Sequence, residues 1–173
     1  SDLAAVGTTP IEVTGTVDDP EATVTVGIEA VPAVVMGNTF SASAVPLREG
    51  GNVVTAAAAD ALGNASSASV TVVLDTTAPR VLLDSPRAGA VTPGESFTVT
   101  GRINAIVLGT VNSGQAQVSV NGLPAEVANG TLIVRGVPLA AGSNAITATA
   151  TDVVGNSDSQ TVTVLRVAVP GPR

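Results

Sequence analysis

The sequence predicts an all-β protein made of two tandem antiparallel β-sandwiches, and three observations predict it. Apolar residues alternate with Thr and other polar residues at a period of two, the mark of strands with one wet face. The pattern is written twice along the chain. Gly, Asn and Pro punctuate it at the short intervals at which sandwiches turn, and no stretch carries a helical period.

The duplication shows in matched strings. Val13-Thr14-Gly15 recurs as Val99-Thr100-Gly101, an offset of 86 residues. Val24-Thr25-Val26 recurs as Val118-Ser119-Val120 at an offset of 94. Val45-Pro46-Leu47 returns as Val137-Pro138-Leu139, and Asp60-Ala61-Leu62-Gly63-Asn64 as Asp152-Val153-Val154-Gly155-Asn156, both at 92. The drift requires eight extra residues between Gly101 and Val118 and the loss of two before Val137, changes that loops accept most readily. Residues 1–75 are therefore the first sandwich, 76–79 a linker, and 80–173 the second, which carries the insertion near 104–115 and an apolar C-terminal tail.

Taken in order, Ile11, Val13, Gly15 and Val17 alternate with Glu12, Thr14 and Thr16, Val24 and Val26 with Thr23 and Thr25, and Val54, Ala56 and Ala58 continue the pattern. The second copy reads as strands over 80–84, 96–103, 116–121, 124–127, 131–137, 144–151 and 160–166. Val and Thr dominate because β-branched side chains suit a pleated surface. Seven strands is an immunoglobulin-like count. Without Cys, Trp or Tyr there is no inter-sheet disulfide and no tyrosine corner, so the core rests on Val, Leu, Ile, Ala and two Phe. Phe40 shares parity with Ala42, and Phe97 with Val99, so both rings are expected inward.

The strings Val13-Thr14-Gly15-Thr16-Val17, Ala58-Ala59-Asp60-Ala61-Leu62-Gly63-Asn64 and above all Leu74-Asp75-Thr76-Thr77-Ala78-Pro79-Arg80-Val81 resemble bacterial tandem Ig-like repeats. The resemblance is to the accessory β-sandwich domain of glucodextranase-like enzymes and to the Ig-like arrays of surface adhesins. It implies a secreted or surface protein in which such modules act as spacers, adhesive stalks or enzyme appendages.

Composition closes several classes of function. Seven basic residues, all Arg, stand against fourteen acidic ones for a net charge of −7, which excludes a phosphate-backbone partner such as nucleic acid. No apolar run reaches the roughly 18 residues of a spanning helix, so membrane insertion is not expected. His, Cys, Lys and Tyr are all absent. No Ser-His or Cys-His pair and no Lys Schiff base can form, and the chain is expected not to be an enzyme. Adjacent Asp18 and Asp19 would point to opposite faces of an extended strand, the wrong arrangement for two acids flanking one bond. Glycan binding lacks the exposed aromatic platform it commonly uses.

Two sets of candidate residues remain. Calcium takes six to eight oxygens from carboxylates, amides and carbonyls. The alternating topology gathers the loops 18–21, 37–38 and 60–64 at one end of the first copy and 104–115, 129–130 and 152–156 at one end of the second, where the linker arrives. Asp75, Asp152 and Asn156 are the candidate calcium ligands; the competing reading is that Asp and Asn sit there because they favour turns. No cofactor is required. For an interface, Ile106, Val107 and Leu108 are three adjacent apolar residues costly to leave in water, expected at the joint between the copies. Leu3 and Val6 are all the first copy has for an opening strand, and Val167 and Val169 lie in a tail longer than the second sandwich needs. A sandwich short of an edge strand accepts one from a neighbour. The expected function is a non-catalytic extracellular structural or adhesive protein of a bacterial surface or filament, partnered by itself or by neighbouring surface domains. The alternative is an accessory module, spacer or glycan-contacting, of a secreted carbohydrate-active enzyme.

Overall fold

The computed structural model of the chain describes residues 4–104 and 116–168. The chain divides between Thr76 and Thr77 into two units. The first holds β1 (Ala4–Val6), β2 (Ile11–Thr16), β3 (Thr23–Val26), β4 (Val31–Pro32), β5 (Val34–Met36), β6 (Thr39–Val45), β7 (Gly50–Ala59) and β8 (Ala65–Leu74). The second holds β9 (Arg80–Ser85), β10 (Ala90–Thr92), β11 (Ser96–Asn104), β12 (Gln117–Val120), β13 (Leu123–Pro124), β14 (Glu126–Ala128), β15 (Thr131–Pro138), β16 (Gly142–Thr151) and β17 (Ser157–Arg166). The sheets of the first unit run β1-β8-β7-β3-β4 and β2-β6-β5, those of the second β10-β17-β16-β12-β13 and β14-β15-β11-β9. Both units are β-sandwiches with immunoglobulin-like connectivity.

The period of two sets the faces. Val24, Val26, Phe40, Ala42, Val45 and Val54 are buried between the first pair of sheets, and Val99, Val120, Leu132, Val137, Ile146 and Val164 between the second. Phe97 is partly buried against the second core. On the wet faces hydroxyls pair across strands: Thr55 Oγ1 lies 2.9 Å from Ser69 Oγ, and Thr147 Oγ1 lies 2.9 Å from Thr161 Oγ1. The duplicate strings occupy duplicate places, since Val24 pairs with Ala58 as Val118 pairs with Ala150.

Two features depart from the strand reading. One strand pair in each unit is parallel, β1 with β8 and β10 with β17, where only antiparallel pairs were expected. The cause is a chain that opens on one sheet and crosses to the other: β9 pairs antiparallel with β11, and three residues of β10 then join β17. A three-residue strand is too short for its alternation to show in sequence. The expected strand over 124–127 is two strands in different sheets, β13 on β12 and β14 on β15. The two residues missing from the second copy lie in one turn. Gly27 to Ala30 separate paired Val26 and Val31, whereas Asn121-Gly122, with φ of 47° and 81°, alone separate Val120 and Leu123. That is a two-residue turn of the kind Asn-Gly favours.

Strand β6 carries a bulge, because Ile11 pairs with Val45 and Val13 with Ala42. The extra residue lets Ala42 and Val45 both face the core, and it forces Ala44 to φ 61°. The same bulge in β15 places Gly136 at φ 71°. A Cβ in the left-handed region is strained where glycine is not. The Ala44→Gly variant is therefore expected to raise stability, by about 0.5 kcal/mol once the added freedom of the unfolded chain is subtracted. Urea unfolding followed at the first unit checks this; a lower midpoint would contradict the strain.

The β7–β8 turn is tied by its own first residue. Asp60 Oδ1 accepts the backbone N–H groups of Leu62 at 2.9 Å and Asn64 at 2.8 Å, and Asp60 Oδ2 accepts the Asn64 side-chain amide at 2.7 Å. The Asn64 side-chain amide, followed by its backbone N–H, holds the Asp60 carboxyl below the usual aspartate value. A carboxyl lowered on folding contributes stability above its unfolded value, and that contribution fades as pH falls through the lowered folded value. Asn64→Ala is expected to move the Asp60 midpoint up toward the ordinary range in a carboxyl-carbon NMR titration. An unmoved midpoint would mean the amide does not set it.

Candidate functional site

Among the described residues the first unit has an open side that the second does not. Strand β2 pairs with β6 on one edge and, among the described residues, with nothing on the other. In the second unit the equivalent edge of β11 is covered by β9, whose Arg80, Val81, Leu82 and Leu83 pair with Asn104, Ile103, Arg102 and Gly101. Those β11 positions correspond to Asp18, Val17, Thr16 and Gly15. A groove of about 720 Å³ opens there, with Val13 to Asp18 on one rim, Ser66 to Val70 of β8 on the other, and Val24, Phe40, Val54, Ala56 and Ala58 along its floor.

Burial differs at the matching positions. Ala148 and Ala150 are 0% exposed, while their counterparts Ala56 and Ala58 are only half-buried. Val162 packs on the second core, whereas its counterpart Val70 is 56% exposed. The close approach of β9 explains Gly101, where a Cβ would stand 2.3 Å from the Leu82 carbonyl oxygen. Gly15 keeps glycine at the matching place, where a Cβ would stand 2.5 Å from the Phe40 ring.

The rim of β2 offers backbone donors. Val17 N–H is donated to the Asn38 carbonyl at 3.0 Å, as Ile103 N–H is to Gly130 at 2.8 Å. Strand alternation then turns the N–H groups of Thr14 and Thr16 toward the open side.

The candidate calcium ligands sit as follows. Asp152 Oδ1 accepts the N–H groups of Val154 at 3.0 Å and Asn156 at 2.9 Å, and Asp152 Oδ2 accepts the Asn156 amide at 2.9 Å, repeating the Asp60 turn. Asp75 lies in the other unit, directly after β8, and its N–H is donated to the Val6 carbonyl at 3.0 Å. In the first unit the loops do gather: Asp18, Asp19, Asp60 and Asn64 border one cleft of about 320 Å³. Asp19 Oδ1 accepts the Glu21 N–H at 2.9 Å. Among the described residues no three carboxylates converge as a metal cage does.

Of the interface candidates, Val6 ends β1 opposite Leu74, and the Val167 N–H is donated to the Thr92 carbonyl at 3.0 Å, prolonging the β10–β17 pairing. Leu3, Ile106, Val107, Leu108 and Val169 lie outside the described residues. Residue reading missed the Asn52 and Asn144 clips at the far end of each long hairpin. Asn52 accepts the Arg48 N–H at 2.8 Å and donates to the Arg48 and Gly50 carbonyls at 2.7 and 2.8 Å, and Asn144 does the same with Ala140 and Gly142. The signal was present in the strings Gly50-Gly51-Asn52 and Gly142-Ser143-Asn144. By the repeat offset of 86 residues the counterpart of β9 would fall before residue 1.

Over 123 residues, 70% of its length, the chain is 35% identical to Bacillopeptidase F of Bacillus subtilis (strain 168). The chain spans only 8% of that protein's length. Among solved structures it resembles the fibronectin(III)-like modules of Clostridium thermocellum CbhA at 13% identity and a TM-score of 0.49, covering 99% of this chain and 92% of that one. It also resembles a tetra-tandem repeat in the extending region of a large adhesion protein at 25% identity and a TM-score of 0.35, covering 88% and 45%. The family described as glucodextranase, domain B, matches residues 79–167, just over half of the chain, and the chain belongs to that family.

Proposed function

We propose that this chain is a non-catalytic tandem β-sandwich module of a longer extracellular bacterial protein, serving as a structural spacer or adhesive segment. The observation that carries the reading is the Bacillus relative, in which the matching stretch is a small part of a much longer protein. The family description, a lettered domain of an enzyme, points the same way. Among the described residues every buried side chain is apolar. Catalytic groups act from desolvated, pre-organised positions, and a buried interior of Val, Leu, Ile and Ala supplies none of them. The hydroxyl-rich faces and the clipped hairpins are what a load-carrying or spacing module needs, being polar outside and fixed in register.

Glycan contact is the second reading, favoured by the name of the family. It would have to rest on hydroxyls, since Phe40 is buried and Phe97 partly so.

Purified protein is expected to turn over no glycosidic, ester, phosphate or peptide substrate. Turnover that disappears in Asp60→Asn or Asp152→Asn would overturn the non-catalytic reading. Electrophoresis through gels containing soluble glucans separates the two roles: unchanged mobility is expected of a spacer, and retardation that grows with glucan concentration would favour the second reading.

A further inference from the structure

We infer that Asn129 is a site of spontaneous covalent modification, where the Gly130 amide nitrogen displaces ammonia from the side chain to form a succinimide that water opens to aspartate or β-linked isoaspartate. The sequence contains two Asn-Gly pairs, Asn121-Gly122 and Asn129-Gly130, and the fold sets them in matched backbone. Each is the two-residue turn of a hairpin, one between paired Val120 and Leu123, the other between paired Ala128 and Thr131. Each has both residues left-handed, at φ of 47° and 81° in one and 50° and 73° in the other. A following glycine makes either pair reactive, because no Cβ crowds the attacking nitrogen. With turn and neighbour alike, the side chains decide.

Asn121 is held. Its side-chain amide donates to the Ala145 carbonyl at 3.0 Å, its Oδ1 accepts the Thr147 N–H at 2.8 Å, and its own N–H is donated to the Thr147 carbonyl at 2.9 Å. Both ends of the amide are engaged on β16, so its carbonyl carbon reaches the Gly122 nitrogen only after two hydrogen bonds break. Asn129 is exposed, and among the described residues its side chain makes no hydrogen bond. The first copy writes the corresponding turn in the opposite order, Gly37-Asn38, and there the Asn38 amide donates to the Val17 and Asp18 carbonyls, both at 3.2 Å. The residue after Asn38 is Thr39, whose β-branched side chain crowds its own nitrogen. Of these three turns, the one at 129–130 alone combines a following glycine with an unheld amide.

The step balances with water as the sole co-reactant, and no atom is oxidised or reduced. The Gly130 nitrogen gives up its proton and bonds to Asn129 Cγ as the Cγ–Nδ2 bond breaks, and Nδ2 leaves as ammonia with a proton in exchange. Water then cleaves one of the two imide C–N bonds. Cleavage at Cγ gives aspartate, whereas cleavage at the backbone carbonyl carbon leaves the chain running through Cγ, one methylene longer. The longer form no longer fits a two-residue turn between Ala128 and Thr131, and the bond from the Ile103 N–H to the Gly130 carbonyl, 2.8 Å in the unmodified chain, is lost with it. Modification therefore loosens the three-residue edge strand β14.

The full chain, incubated in neutral buffer and then cut after Arg102 and Arg135, yields one peptide that carries both asparagines, and its fragmentation by mass spectrometry reports each site separately. Conversion at Asn129 is expected to outpace conversion at Asn121 about thirtyfold, the worth of two net hydrogen bonds. In denaturant both side chains are free, and the two rates are expected to converge. Asn129→Gly combined with Gly130→Asn gives the turn the order that the first copy folds with. This double variant is expected to keep the unfolding midpoint of the parent and to lose the fast conversion. Hydrogen exchange on the separated isoaspartate form is expected to be faster at the Ile103 amide than in the unmodified chain. Equal rates at the two asparagines of the folded chain, faster conversion at Asn121, or a thirtyfold difference that persists in denaturant would each overturn the proposal. Unchanged exchange at Ile103 would overturn the loosening of the strand.

Discussion

Each unit hangs on one ten-pair antiparallel hairpin, β7 with β8 and β16 with β17, registered without a break from turn to open end. Its inward positions supply Val54, Ala56 and Ala58 or Ile146, Ala148 and Ala150 to the core, and its edges carry β3 and β1 or β12 and β10. A slip of one residue would send every one of those side chains to the solvent face. Two polar clips prevent it. At the turn the Asp60 or Asp152 carboxylate gathers three N–H donors, and at the open end the Asn52 or Asn144 amide bridges the chain that enters the hairpin. Register is thus fixed by short-range polar bonds, while burial, which is non-directional, supplies most of the free energy.

Small inward residues make that arrangement sensitive to cover. Alanine at 56, 58, 148 and 150 lets the sheets pack closely but gives the core little area of its own, so the shielding of those positions depends on what lies over them. In the second unit β9 lies over them, held to β11 by backbone pairing and by the Arg102 guanidinium, which donates to Asp84 Oδ1 at 2.8 Å and to Oδ2 at 3.1 Å. In the first unit Thr16 stands where Arg102 does, and nothing among the described residues replaces β9. Two copies of one pattern consequently differ in the burial of residues that are identical in sequence.

The long alternating strands were legible from residue periodicity because burial on one face imposes a period of two, and their pairing was legible from the repeat. The Gly37-Asn38, Asn121-Gly122 and Asn129-Gly130 turns were legible because left-handed φ selects those residues. What the residues hid was short or relational. Ala90–Thr92 is too brief for alternation, and the change of sheet between Pro124 and Glu126 is made by the backbone, with Ala125 N–H donated to the Val118 carbonyl. The turn role of Asp152 and Asn156 was open to residue reading, but the three bonds that realise it depend on a five-residue loop closing on its first carboxylate. The groove was half legible: the first copy's short opening strand showed in the sequence, but the exposure of Val70 against the shelter of Val162 needs both units folded.

Sheet edges invite unwanted pairing, and proteins blunt them with charge, bulges or side-chain caps. The second unit does so thoroughly, because the outward N–H groups of Val81 and Leu83 are capped by Asp158 and Gln160, and the Arg102–Asp84 pair puts charge on the face beside them. Among the described residues the first unit shows no cap of that kind on β2. Its β2 rim presents Thr14 and Thr16, Glu12 is engaged by the Ser41 hydroxyl at 2.7 Å, and the facing rim is Ser66 to Val70, without a charge among them. By the repeat offset of 86 residues the counterpart of β9 would fall before residue 1, so the contrast between the two edges reflects which residues are compared and not a difference in the sandwich that carries them.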